Sequence, residues 1–293
     1  PMGFYPPASL VRVAERRGIA VLPVDIAASH VTARCAGPRA VRLGLAQVVG
    51  LGEAEAEAIV RERTAGGSFA DVRALANRLD LPTASLQRLV AAGACDALGP
   101  RRRLLWELGL ATRPAPGGQL AFDLHLGDAP AGLPEPSAWE LLVADYATTG
   151  VSVREHPIAQ LRPLLGELAD STVLDRLAHG APIAIPGLAV ARQRPASANG
   201  VVFLLLEDEH GLFNLVLMPD AYERFRLLAR SEPLLLARGA LERRQGVTSI
   251  RVDALAPLDL PDRRVLRTEQ DPQSLRVVAP PPQHFAHGRR RGA

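Results

Sequence analysis

"GLAQVVGLGEAEAEAIVRER", Gly44 to Arg63, sets Gly50-Leu51-Gly52 between a short apolar run and a stretch with helical periodicity. Three structures fit a Gly-x-Gly in that position: a nucleotide-phosphate loop, a plain turn between packed helices, and a hairpin whose bare amides meet a nucleic-acid phosphate. The helix expected from Gly52 or Glu53 carries Glu53, Glu55 and Glu57 early and Arg61 and Arg63 late, an order that complements the helix dipole. Ala56, Ile59 and Val60 recur at helical spacing as its buried stripe. With Leu51 tucked inward, the amides at the helix start face outward as anion donors. This predicts a helix-hairpin-helix that holds DNA by its backbone. The three early glutamates, which repel a phosphate, keep the plain turn open as the alternative.

The rest of the chain removes the first structure. All 34 strong cations among the 293 residues are arginines, and lysine is absent. A Walker-type loop needs Gly-Lys-Ser/Thr and nucleotidyl transfer through a lysyl adduct needs a lysine, so both are excluded. The dinucleotide fingerprint fails because Glu55 stands where its third glycine falls. Net charge is +3 and the isoelectric point about 9.4. Arginine suits bidentate phosphate contact, and a GC-rich genome gives the same bias. Cys35 and Cys95 lie outside any Cys-x-x-Cys, which points to small core residues rather than a disulfide or zinc site. No apolar run is long enough to span a bilayer and the N-terminus has no basic segment followed by an apolar one, so a soluble, cytoplasmic protein with no membrane partner is expected. The chain opens on Pro1 in mid-pattern, as a piece of something larger would.

Composition and period divide the sequence into six segments. Residues 1–38 read as a helix, Ala8 to Arg17, closed by Gly18 and followed by a strand in "IAVLPVDI". Residues 39–110 read as helical with glycine breaks, and "LPTASLQRLVAAGACDALG", Leu81 to Gly99, repeats the hairpin design with Thr83 as N-cap and Gly93 as terminator. Residues 111–137 form a Pro/Gly-rich linker and 138–178 a helical connector. Over residues 179–260 the period changes to three strands, a helix and two strands, the order of a five-stranded OB barrel. Residues 261–293 read as a loose Pro/Arg-rich tail. The fold class is α+β multidomain, a helix-hairpin-helix region followed by an OB-fold β-barrel.

Candidate binding residues follow from these elements. Duplex contacts are expected at Gly50, Leu51 and Gly52, with Arg42 and Arg61 as flanking cations. An OB domain binds on its second and third strands, flanked by the loops after strands one and four. Those loops hold Arg192 and Arg194 in "RQRPASANG" and Arg243 and Arg244 in "ERRQG". Phe203 and Phe213 are the aromatics on the binding strands, as stacking platforms or as core. Glu207, Asp208 and Glu209 read as a polar hairpin turn rather than a catalytic or metal site.

The strings "PMGFYPPASLVRVAERRGIAVLPVDIAAS", "AVRLGLAQVVGLGEAEAEAIV", "LQRLVAAGACDALG", "DYATTGVSVREHP" and "GLAVARQRPASANGVVFLLLEDEHGLFNLVLMPDAYERF" resemble, in this order, the C-terminal part of bacterial C-family DNA polymerases. More narrowly, they resemble the error-prone paralogue of the polymerase III alpha subunit used in damage-induced mutagenesis and translesion synthesis. Ala27 departs from the asparagine of that pattern, and "PPPQHFAHGRRRGA" is a loose version of the family's Phe-containing ending. The resemblance implies that residues 1–38 close the fingers, that the tandem hairpins grip primer-template duplex, and that the OB domain meets single-stranded template. The family's catalytic aspartates precede this segment, so magnesium is expected only for that palm domain, no cofactor for this chain, and no nucleotidyltransferase activity from it alone. "GQLAFDL" resembles the peptide by which such polymerases dock on the sliding clamp, one residue short, with Gln119, Leu120 and Phe122 as its anchors; an incidental apolar patch is the alternative. Mutagenesis accessory proteins are further expected partners. Two other classes stay open, a free-standing non-enzymatic DNA-binding protein and a protein-interaction platform built from the same parts.

Overall fold

Apolar residues at helical spacing gather into one core and alternating apolar residues into a second. The computed structural model describes residues 7–111, 133–244 and 246–258, with the backbone of residues 283–284. Two compact units divide the chain, residues 10–153 and residues 154–293 with the first nine.

The first unit begins in α1 (Pro7–Arg16) and a small sheet of β1 (Ala20–Leu22), β2 (Arg34–Gly37) and β3 (Ala40–Arg42). β3 lies centrally, parallel to β1 and antiparallel to β2. Periodicity gave no warning of the β2–β3 hairpin, because every residue of β2 is exposed and no alternation marks it. A 3-10 turn at Leu45–Gln47 then leads to α2 (Glu53–Gly66), α3 (Val72–Arg78), α4 (Thr83–Ala91), a second 3-10 turn at Asp96–Leu98, and α5 (Arg101–Ala111). Ala56 and Ile59 are buried and Val60 packs beside them, the stripe expected from their spacing. α6 (Ala138–Thr149) completes this unit. Its start is fixed by reciprocal bonds, Glu140 N–H to Ser137 Oγ (3.2 Å) and Ser137 N–H to Glu140 Oε2 (2.8 Å). The Val49 N–H donates to Thr148 O (2.7 Å) and Gln47 Nε2 to Thr149 O (2.7 Å), tying α6 to the first hairpin.

The second unit opens with α7 (Pro157–Leu161) and then builds a barrel from β4 (Pro182–Gln193), β5 (Val202–Glu207), β6 (Leu212–Leu217), β7 (Leu234–Arg244) and β8 (Val247–Pro257). α8 (Pro219–Ser231) lies between β6 and β7 in sequence. The strands run β5-β6-β8-β7-β4, and a β4–β5 ladder closes the ring. This is the five-stranded OB barrel that the strand order predicts. β4 is long enough to serve two neighbours, pairing Pro182–Leu188 with β7 and Leu188–Gln193 with β5. A bulge between Ala189 and Ala191 accompanies the change. Within the expected loose tail, the backbone of β9 (Gln283–His284) pairs in parallel with Ala191 and Arg192 of β4.

Between β5 and β6, Asp208 is buried and accepts from Ser171 N–H (2.6 Å), Ser171 Oγ (2.7 Å), His210 N–H (2.9 Å) and Gly211 N–H (2.8 Å). Arg162 meets Glu209 through two bonds (2.7 and 3.0 Å). The acidic cluster is therefore a turn tied to the preceding segment.

Candidate nucleic-acid interface

At the first hairpin, Leu51 is buried between exposed Gly50 and Gly52, so the turn is anchored by one apolar side chain. Gly50 has φ +79°, a left-handed value that glycine tolerates without a Cβ clash. Gly52 differs, since φ −72° and ψ 154° are open to any residue. Neither the backbone angle nor the neighbouring atoms require glycine at position 52. An added Cβ there would meet nothing nearer than Glu55 Oε2 at 3.5 Å.

Two side chains of α4 hold this turn. The Gly52 N–H donates to Glu55 Oε2 (2.7 Å), and Ser85 Oγ donates to the other oxygen of the same carboxylate (2.7 Å). Arg88 Nη1 donates to Gly50 O (2.9 Å), which sets an exposed guanidinium beside the turn. Of the outward-facing amides expected at this helix start, that of Gly52 is engaged by Glu55. Those of Gly50, Glu53 and Ala54 have no acceptor among the described residues. Sequence spacing does not reveal Arg88, which reaches the turn only through tertiary packing. Arg61 is exposed and without a partner among the described residues, whereas Arg42 is half-buried and donates to Pro23 O (3.2 Å), with Asp25 3.5 Å away.

The second hairpin runs from α4 to α5. Pro82, not Thr83, is the N-cap of α4; its carbonyl accepts from Ser85 and Leu86 while Thr83 is the first helical residue. Arg101 fills the turn beyond Gly93 (φ +78°). Its guanidinium donates to Asp96 (2.9 and 3.1 Å), Ala91 O (2.9 Å) and Asp145 Oδ1 of α6 (3.0 Å). Burial opposes the Arg101 charge, but the bonds and charges of Asp96 and Asp145 outweigh it and raise its pKa.

The barrel redistributes its expected contacts. Arg192 is 5 % exposed; its Nε donates to Ala229 O (2.6 Å) and its Nη2 to Glu232 O, so it caps the C-terminal end of α8 rather than lining a loop. Burial draws its pKa down to about 10, opposed by Glu232, so it remains charged at neutral pH. Phe213 is 3 % exposed and belongs to the core, because period-2 alternation puts it on the inner face with Leu215 and Leu217. Phe203 is half-buried on the outer face, opposite Gln193. Arg243 Nη2 donates to Leu174 O (2.9 Å) and Asp175 O (2.7 Å), which engages it internally. Arg244 lies 3.3 Å from Glu242. Arg194 is exposed, its guanidinium 5.0 Å above the Tyr222 ring. Gln119, Leu120 and Phe122 lie outside the described residues.

Cys95 is buried as expected, its thiol pushed up to about 12 by burial and then by the charges of Asp96 and Asp25. Cys35 is exposed on β2, contrary to the core position expected for it.

A helix-hairpin-helix motif model matches residues 18–105. Over 274 residues the chain is 45% identical to the error-prone DNA polymerase of Anaeromyxobacter dehalogenans (strain 2CP-C), covering 89% of this chain and 24% of the relative. The chain is homologous to error-prone DNA polymerases. The enzyme so named from Corynebacterium efficiens is 39% identical over 262 residues, 88% of this chain and 24% of its own length. The chain therefore spans about a quarter of the length of these error-prone polymerases. Among solved structures, the asparaginyl-tRNA synthetase of Pyrococcus horikoshii overlaps 37% of this chain and 28% of its own at 16% identity, with a TM-score of 0.28. Among the described residues, no helix is long and apolar enough to cross a membrane, and no group of three or more His, Cys, Asp or Glu could hold a metal ion.

Proposed function

We propose that this chain is the DNA-gripping part of an error-prone polymerase that acts in damage-induced mutagenesis and translesion synthesis. The first unit binds primer-template duplex by its phosphates, at Gly50, Leu51 and Gly52 with Arg61, Arg42 and Arg88. The barrel meets single-stranded template through Phe203, Arg194 and Arg244. Nucleotide transfer and its magnesium belong to a palm domain outside this chain. A sliding clamp engaged through Gln119, Leu120 and Phe122, and mutagenesis accessory proteins, are the protein partners.

The observation that carries this reading is the first hairpin. It is an exposed glycine turn pinned by buried Leu51, with Arg88 on the Gly50 carbonyl and with the amides of Gly50, Glu53 and Ala54 lacking an acceptor among the described residues. Such donors act on charge and not on base identity. Titration of the chain with primer-template duplexes of scrambled sequence tests it. Affinity falls steeply with salt and varies little with sequence; a flat salt response removes the reading. Template-dependent extension by the purified chain with magnesium or manganese would remove the assignment of catalysis elsewhere.

A further inference from the structure

The side chains of six arginines of the barrel unit make neither a hydrogen bond nor an ion pair among the described residues: Arg176, Arg194, Arg224, Arg226, Arg230 and Arg238. Four of these are on α8 or directly over it. The binding strands themselves are poor in cations. Their outer face presents Phe203, Leu205, Leu212, Asn214 and Val216, and the next strand contributes Arg251, already 3.1 Å from both Glu242 and Asp253.

The end of β4 runs along α8. β4 ends at Gln193, and Arg194 is the first residue beyond it. Arg192 bonds the carbonyls at the C-terminal end of α8 while Arg194 lies over Tyr222 in its first half. Gln193, between them, is the last residue of β4 and the ladder partner of Phe203. Arg194 therefore follows directly after the rung that holds Phe203. Beyond the kink at Phe225, Arg226 and Arg230 follow at i and i+4, neighbours about 5–6 Å apart on one side of a helix. The acids of this helix, Asp220 and Glu223, precede the kink. Leu227 is 81 % exposed on the turn between the two arginines.

We propose that Arg194, Arg226 and Arg230 form a phosphate track on which a single strand leaving Phe203 continues along α8. The track rests on the reading of the barrel as a single-strand binder and assigns that role to a surface away from its binding strands. Arginines without competing carboxylates offer charge-assisted, forked bonds to phosphate oxygens. An aromatic on the outer face supplies the base stacking that a sequence-tolerant strand requires. An acidic polypeptide would need the same cations, but Phe203 has no use in that case.

The test compares Arg226→Ala with Arg230→Ala, as a double variant of the whole chain, against a control of equal charge change, Arg176→Ala with Arg238→Ala. Binding of a fluorescent oligothymidylate, of a primer-template duplex and of polyglutamate is measured at several salt concentrations, with melting curves for each variant. The α8 variant loses about five- to tenfold in oligothymidylate affinity and about 1.4 in the logarithmic salt slope, at about 0.7 per phosphate contact. Duplex affinity and melting stay within twofold and about two degrees of the parent, as does the control. Equal losses in both double variants would reduce the track to net charge and overturn it while leaving the barrel a single-strand binder. An unmodified chain that fails to bind oligothymidylate would remove the single-strand reading and the track together. Loss of polyglutamate binding as large as that of oligothymidylate would overturn nucleic acid as the ligand.

Discussion

The two hairpins of the first unit share a design and differ in what fills the turn. In the second, a Cβ at Gly93 would lie 2.1 Å from Arg101 Nη2, because a buried guanidinium already occupies the space. In the first, a Cβ at Gly52 meets nothing nearer than 3.5 Å, and the neighbouring arginine, Arg88, is exposed. One turn is closed by an internal cation; the other is held from behind by Ser85 and Arg88 and stays open in front. The same motif thus encloses a cation in one place and leaves an exposed turn in the other.

The largest effect should come from opening the closed turn. Asp145→Ala removes one of the two carboxylates on buried Arg101, leaving Asp96, and costs about 2–3 kcal/mol. Both tryptophans, Trp106 and Trp139, lie in this unit, so urea unfolding followed by their fluorescence reports it directly. A loss under about 1 kcal/mol would make the second hairpin no more rigid than the first. Next comes Gly50→Ala, which forces an L-residue to φ +79° with its Cβ 3.0 Å from Arg88 Nε. It should cost about 1–2 kcal/mol of stability and also weaken duplex binding.

Gly52→Val separates the two roles. Its backbone accepts valine, so melting should shift little, while branched methyls in front of the turn should lower duplex affinity about tenfold, equivalent to about 1.4 kcal/mol. Unchanged affinity in a folded variant would make the first hairpin a plain turn as well. Arg88→Ala should lower duplex affinity about three- to fivefold and shave about 0.9 from the salt slope, which titrations at four salt concentrations resolve. Smallest is the thiol contrast. At pH 8 a maleimide should modify Cys35 and spare Cys95, which is buried beside the second hairpin. The folded Cys95 thiol keeps its proton up to about 12 while an unfolded one releases it near 9.0. Stability is therefore lost as pH rises from about 9, and proton release on unfolding at pH 10 would register it.

What the sequence disclosed depended on how local the signal was. Leu51, Ala56 and Ile59 announced the first hairpin because turn chemistry and helical period are both short-range. The barrel strands were readable for the same reason, and alternation in "LFNLVL" already places Phe213 inside with Leu215 and Leu217. Ser137-x-x-Glu140 is likewise a local helix-start signal. Arg192, Arg88 and Arg101 were not readable, since an arginine's role depends on carbonyls and carboxylates far away in sequence. Exposed β2 left no pattern at all.

The buried Arg101–Asp145 pair and the Arg102–Glu140 contact (2.6 Å) fasten α6 to α5 across the intervening residues 112–137. Covalent continuity through that segment is then not what positions α6. Loop closure grows only logarithmically with length, by about 0.6 kcal/mol per doubling, so lengthening the connection between α5 and α6 should cost little. A chain nicked between α5 and α6 should remain one particle, its two fragments co-eluting under native conditions.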